Sequence, residues 1–158
     1  MKKVVILAVL ALLTGCSTIP SEYTKGDGKS CIKTLAPMNE AWLFVSSVDD
    51  GSILTQNDPK AAWLISNEYN KPTEIWINPG SHKLTLMIVQ KMGYGTDYIS
   101  HQSIMLDVVK GMSYELKATR TSSINEQSEI FLNTVPTAEI SKLGHNKNWV
   151  RVKVIPSK

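Results

Sequence analysis

Apolar and polar positions alternate along most of this chain with a period of two, the period of a β-strand, in short runs separated by turn residues. Ala41–Val48 is a β-favouring run stopped by Asp49-Asp50-Gly51-Ser52, an Asp-Gly hairpin signal in which glycine accepts positive φ at little cost. Ala61–Ser66 is the next predicted strand, and Asn67–Pro72 stops it. Thr73–Ile77 leads into Asn78-Pro79-Gly80, where proline fixes φ and glycine takes the left-handed position. Ser81–Gln90 places Leu84, Leu86 and Ile88 on one face, with Lys83 and Thr85 opposite. Ile99–Val109 sets Ile104, Leu106 and Val108 against His101, Ser103 and Asp107. After Lys110-Gly111, Met112, Tyr114, Leu116 and Ala118 alternate with Ser113, Glu115, Lys117 and Thr119, as a sheet with one buried and one wet face requires. Glu129–Val135 and Asn148–Ile155 complete the set, the last with Val150, Val152 and Val154 facing inward against Arg151 and Lys153. Lys91–Tyr98 and Thr121–Ser128 read as loops, and Pro136–Gly144 as a short helical turn or coil. No segment carries the long 3.6-residue period of an amphipathic helix. The expected fold is mainly β, a single antiparallel β-sandwich over residues 40–158.

The first residues follow a different plan. Met1-Lys2-Lys3 precedes the unbroken apolar run Val4–Leu13, the layout of a secretory signal peptide. A membrane-spanning helix needs roughly 20 apolar residues, and this run has about half of that. Leu13-Thr14-Gly15-Cys16 then resembles the lipobox of bacterial lipoproteins. That resemblance implies cleavage between Gly15 and Cys16, diacylglycerol on the Cys16 sulfur and a third acyl chain on the new amino terminus. Ser17 is not the aspartate associated with inner-membrane retention, so the implied address is the periplasmic face of the outer membrane. Two or more acyl chains hold a protein firmly, since each buried methylene contributes about 0.8 kcal/mol. Residues 1–15 are thus read as signal peptide, and polar, turn-rich residues 16–39 as the lipidated end and its tether.

Removing the signal takes away Lys2 and Lys3 and leaves fifteen Lys+Arg against fourteen Asp+Glu. The basic balance of the whole chain is partly borrowed from the signal, and no basic stripe points to nucleic acid. With Cys16 lipidated, Cys31 is the remaining cysteine, so no disulfide within the mature chain is expected. Cys31 stays open between a quiet thiol near the tether, an intermolecular link and a reactive site.

Three stretches together are similar to PEGA-type and related β-sandwich modules of bacterial envelope proteins. They are Val45–Gly51, Ile75–Leu86 with its Pro79-Gly80-Ser81-His82 turn, and Ile104–Ala118 bent at Lys110-Gly111. The similarity covers residues 45–118 and implies an Ig/transthyretin-like arrangement and a non-enzymatic module. It has no counterpart for Asn125–Ile155.

Candidate chemistry is sparse. His82, His101 and His145 have no metal-ligand spacing, and no metal or cofactor is expected beyond the lipid on Cys16. His101 and Asp107 lie on one strand face but about 20 Å apart at roughly 3.3 Å per residue, too far for a dyad. No nucleophile elbow, HExxH or phosphate loop is present, and Gly93-Tyr94-Gly95 is a lone G-x-G. Trp42, Trp63, Trp76 and Trp149 sit on predicted strands. With Ile75 and Ile77 inward, Trp76 takes the opposite face. There it either joins Tyr94 and Tyr98 in a partner-binding patch or lies under a covered second face. The expected function is a membrane-anchored, non-catalytic binding or structural module of the cell envelope that holds an envelope protein partner. The alternative is a cell-wall-directed enzyme, or an inhibitor of a wall-degrading enzyme.

Overall fold

The computed structural model describes residues 21–35, 41–53, 74–91, 97–143 and 148–156. The predicted strand over Ala61–Ser66 lies outside them, as do the signal peptide and lipobox. Among the described residues ten strands form, in chain order: β1 (Ser30–Thr34), β2 (Trp42–Val48), β3 (Gly51–Ser52), β4 (Glu74–Ile77), β5 (Gly80–Lys91), β6 (Asp97–Val108), β7 (Met112–Ala118), β8 (Ile130–Pro136), β9 (Val150–Val152) and β10 (Val154–Ile155). Two short 3-10 turns, η1 (Ser21–Tyr23) and η2 (Thr137–Lys142), accompany them.

The strands make two five-stranded sheets, ordered β4-β1-β7-β8-β9 and β10-β6-β5-β2-β3. The protein is mainly β, and the two sheets share one core. Ile32, Ile75, Tyr114, Leu116 and Ile130 from the first sheet pack with Leu43, Val45, Leu84, Leu86, Ile88 and Ile104 from the second. The expected alternation produces this core. Leu84, Leu86 and Ile88 pair in register with Ile104, Gln102 and Ser100 across the long β5–β6 hairpin.

Four findings depart from the sequence expectation. First, the tether does not run to residue 39. Ser30–Thr34 forms β1 between β4 and β7, with Cys31 and Ile32 fully buried. Its pairing with β7 is parallel, so the sandwich is not wholly antiparallel. Second, the Asp-Gly turn is built otherwise. Val48 pairs with Gly51, so Asp49-Asp50 is the two-residue loop, and those two residues carry the positive φ values of 47° and 66°. This is the conformation of a type I′ hairpin, which aspartate tolerates. Third, the predicted wet face of β7 is dry in places, since Ser113 and Glu115 are buried. Fourth, the final run is split. Val152 pairs with Ile130 in the first sheet, whereas Val154 pairs with Ile104 in the second, so the chain changes sheets at Lys153. Val150 is left 66 % exposed at the edge.

These connections close the sandwich along its sides. The β9–β10 passage joins the two sheets at one edge. At the opposite edge η1 packs on β4, and the Tyr23 hydroxyl reaches Gly51 of β3. Between β2 and β5 the register slips at Ser46, a bulge that turns Val48 inward after Leu43 and Val45. The Ser46 hydroxyl is satisfied by the Thr85 carbonyl at 2.9 Å.

Candidate functional site

Among the described residues, three places bring together groups that carry chemistry. The first is the Asp49-Asp50 turn. Asp49 Oδ1 accepts a hydrogen bond from the Lys83 backbone N–H at 2.8 Å, and Oδ2 lies 2.6 Å from His82 Nδ1. His82 Nε2 is 2.8 Å from the Asn78 carbonyl oxygen, and Lys83 Nζ donates to Asp50 at 3.1 Å. The hydrogen bond from His82 and that from the Lys83 backbone hold the Asp49 carboxyl below the ordinary aspartate value. Both imidazole nitrogens face oxygens of the fold, so His82 ties the Asp49 turn to the Asn78-Pro79-Gly80 turn. Gly80 itself holds φ of 141°, a region open mainly to glycine. The arrangement is a latch between two turns.

The second place is the outer side of the first sheet at Trp76. This side chain is 8 % exposed, so the alternative of a covered face describes it, and it forms no open patch. Its indole N–H donates to Glu74 at 3.0 Å, and the Lys25 ammonium lies 5.4 Å from its ring centroid. Tyr98 stands on β6 in the other sheet, paired with Gln90, and is not brought to Trp76. Tyr94 lies outside the described residues. Opposite Trp76 on β1 is Cys31. Burial, with the Glu74 charge adding to it, pushes its thiol up to about 12. A thiol so protonated is a poor nucleophile.

The third place has no forerunner in the sequence reading. Where the chain changes sheets, an open cleft of about 350 Å³ lies between Gln127–Ile130 and Arg151–Val154. Its rim carries the Arg151–Glu129 ion pair at 3.0 Å and the exposed Lys153. Ser128, in its lining, is held by a carboxamide. In the orientation that satisfies both its polar atoms, buried Gln102 donates to the Ser128 carbonyl at 3.1 Å and accepts from the Ser128 N–H at 3.2 Å. Gln90 does the same service one strand over, donating to Thr121 Oγ1 at 2.9 Å and accepting from the Thr121 N–H at 3.0 Å. The two glutamines thus clamp both ends of the loop between β7 and β8. Lys117 on β7 lies 4.7 Å from the ring centroid of Trp149. The one signal available was the interruption of an apolar strand by Arg151 and Lys153, which reads equally well as a wet strand face.

His101 stands on the outer face of β6 opposite Met87, where partial desolvation pushes its pKa below the ordinary histidine value. His145, Cys16 and Gly15 lie outside the described residues. Among the described residues, no group of three or more His, Cys, Asp or Glu is placed to hold a metal ion. Compared with protein-family models, curated proteins and solved structures, the chain matches none.

Proposed function

We propose that this protein is a lipid-anchored envelope lipoprotein whose β-sandwich serves as a non-catalytic binding or structural module at the periplasmic face of the outer membrane. The observation that carries the reading is Leu13-Thr14-Gly15-Cys16 directly behind two lysines and a ten-residue apolar run. The fold lends support of a coarser kind. A sandwich with one shared core gives a stable surface, and the Asp49–His82 latch is engaged in joining two turns.

Two measurements test the reading. Intact mass of the membrane-extracted protein is expected to show acyl chains on Cys16, and Cys16→Ala is expected to leave uncleaved, unlipidated precursor. A soluble mature form beginning at another residue overturns the anchor. Crosslinking in membranes is expected to give one stoichiometric protein partner. Binding to purified peptidoglycan or to a lysozyme, with no protein partner, overturns the structural-module part in favour of a wall-directed role.

A further inference from the structure

Five residues of chain carry Cys16 to Ser21, the first residue of η1. Fully extended they reach about 17 Å, at roughly 3.3–3.6 Å per residue. At Ser21 the chain is already tied down. η1 packs on β4, Tyr23 packs against the shared core, and its hydroxyl meets Gly51 of β3. The Lys29 ammonium donates to the backbone carbonyls of Glu22 and Thr24, which fixes the turn that follows. The chain therefore enters the sandwich at the side closed by η1, β3 and β4. The side closed by β9 and β10 is the far one, across four strand spacings. At about 4.8 Å each these amount to roughly 19 Å.

The leash is no longer than the sandwich is wide. An inverted pose, with β9 and β10 on the lipid, raises Ser21 above the surface by the full width of the sheet. A completely stretched leash does not reach that height. Resting on the lipoprotein reading above, we propose that the η1–β3 side, with Glu22, Lys25 and the Asp49-Asp50 turn, lies nearer the bilayer than the β9–β10 side does. The β9–β10 side, with Glu129, Arg151 and Lys153 around its cleft, is then held away from it. The lipid surface is one fixed neighbour of this protein, and the sheet-changing edge is the side left to soluble ones.

Two variants of the full chain, each adding one exposed cysteine, test this pose: Ser52→Cys on β3 and Lys153→Cys at the far edge. Both positions are exposed. Cys31 is fully buried and its thiol is protonated, so it stays unlabelled in the folded protein. The labelled lipoproteins are placed in vesicles of phosphatidylethanolamine and phosphatidylglycerol that carry a nitroxide on the headgroup. A fluorophore at residue 52 is expected to be quenched several-fold more strongly than one at residue 153. Equal quenching, or stronger quenching at 153, overturns the pose. Intact mass of the same samples separates the two readings. Acylated Cys16 with equal quenching refutes the pose alone, whereas unmodified Cys16 refutes the anchor, and the pose falls with it.

Discussion

The Gln90 clamp offers the most direct test of how the two sheets hold the loop between β7 and β8. Gln90 is 2 % exposed, and its carboxamide meets both the N–H and the hydroxyl of Thr121. Gln90→Leu keeps the side-chain volume close to native, so little cavity forms, but it removes both partners at once. A buried N–H left unpaired costs about 1–3 kcal/mol, and the lost bond to the hydroxyl adds about 0.5–1.5 kcal/mol. The Thr121 hydroxyl keeps its bond to the Ser123 carbonyl at 3.0 Å, which limits the second cost. Burying the leucine in place of the amide returns about 1 kcal/mol, leaving a net loss near 2 kcal/mol. That corresponds to a fall in Tm of roughly 5–12 °C for a domain of this size. Urea unfolding followed by tryptophan fluorescence measures it as a lower midpoint at unchanged slope. Thr121→Val, alone and with Gln90→Leu, completes a cycle in which the coupling isolates the bond to the hydroxyl at about 0.5–1.5 kcal/mol. A Gln90→Leu variant as stable as the native protein, or a cycle with no coupling, refutes the view that this carboxamide holds the loop.

The Asp49 latch makes stability depend on pH. Its folded-state pKa lies below the unfolded value of about 3.9, so its contribution is fully present above that value and is lost as pH falls through the folded-state pKa. Asp49→Asn, which also tolerates positive φ, is expected to lower stability near neutrality by less than about 1 kcal/mol for so exposed a carboxylate. The gap should close below about pH 4 in acid titrations of unfolding; a gap that widens in acid refutes the latch. Gly51→Ala places a Cβ 2.7 Å from the Tyr23 hydroxyl and 3.1 Å from the Val48 carbonyl, and a cost of about 1–2 kcal/mol is expected in urea melts. Tyr23→Phe should recover part of that loss, and no recovery assigns the clash to Val48 alone. With its thiol pushed up to about 12, Cys31 should react with maleimide at pH 8 roughly a thousandfold more slowly than an ordinary thiol, and at an ordinary rate in urea. Fast labelling of the folded protein contradicts its burial.

What could be read from the chain beforehand follows the range of the forces involved. β5, β6 and β7 were legible because Leu84-Leu86-Ile88, Ile104-Leu106-Val108 and Tyr114-Leu116-Ala118 each bury one face, and the pleat writes that burial as a period of two. β1 was not legible because its inward residues include Ser30 and Thr34, both fully buried polar groups. Its alternation is hidden, and the Ser30 hydroxyl finds its acceptor at the Val109 carbonyl, 79 residues along the chain. Trp76 could be assigned a face but not a neighbour, because Lys25 is remote in sequence. Glu115 reads as a solvated charge on its own strand. What buries it is tertiary, and no local pattern records that. The cleft was invisible for a simpler reason. Val150-Arg151-Val152-Lys153-Val154 alternates without a break, so nothing in the pattern marks the point where the strand leaves one sheet for the other.

That change of sheet also answers a problem common to sandwiches, whose outermost strands expose unpaired backbone groups to other chains. Among the described residues the edge strands are β3, β4, β9 and β10, and each is blunted differently. β3 is two residues long and is backed by Tyr23. β4 is four residues long, with Trp76 on its outer side beneath Lys25. β9 and β10 are three and two residues long, because the passage at Lys153 cuts one long apolar run into two short ones and sets charges on it. Had Val150–Ile155 stayed in one sheet, it would present a continuous edge of four apolar residues. The same break that removes this hazard opens the cleft between the sheets, lined by Glu129, Arg151 and Lys153. A geometric solution to edge pairing thus leaves a polar recess on the side of the molecule farthest from its amino-terminal entry, and the recess needs no separate structural cause.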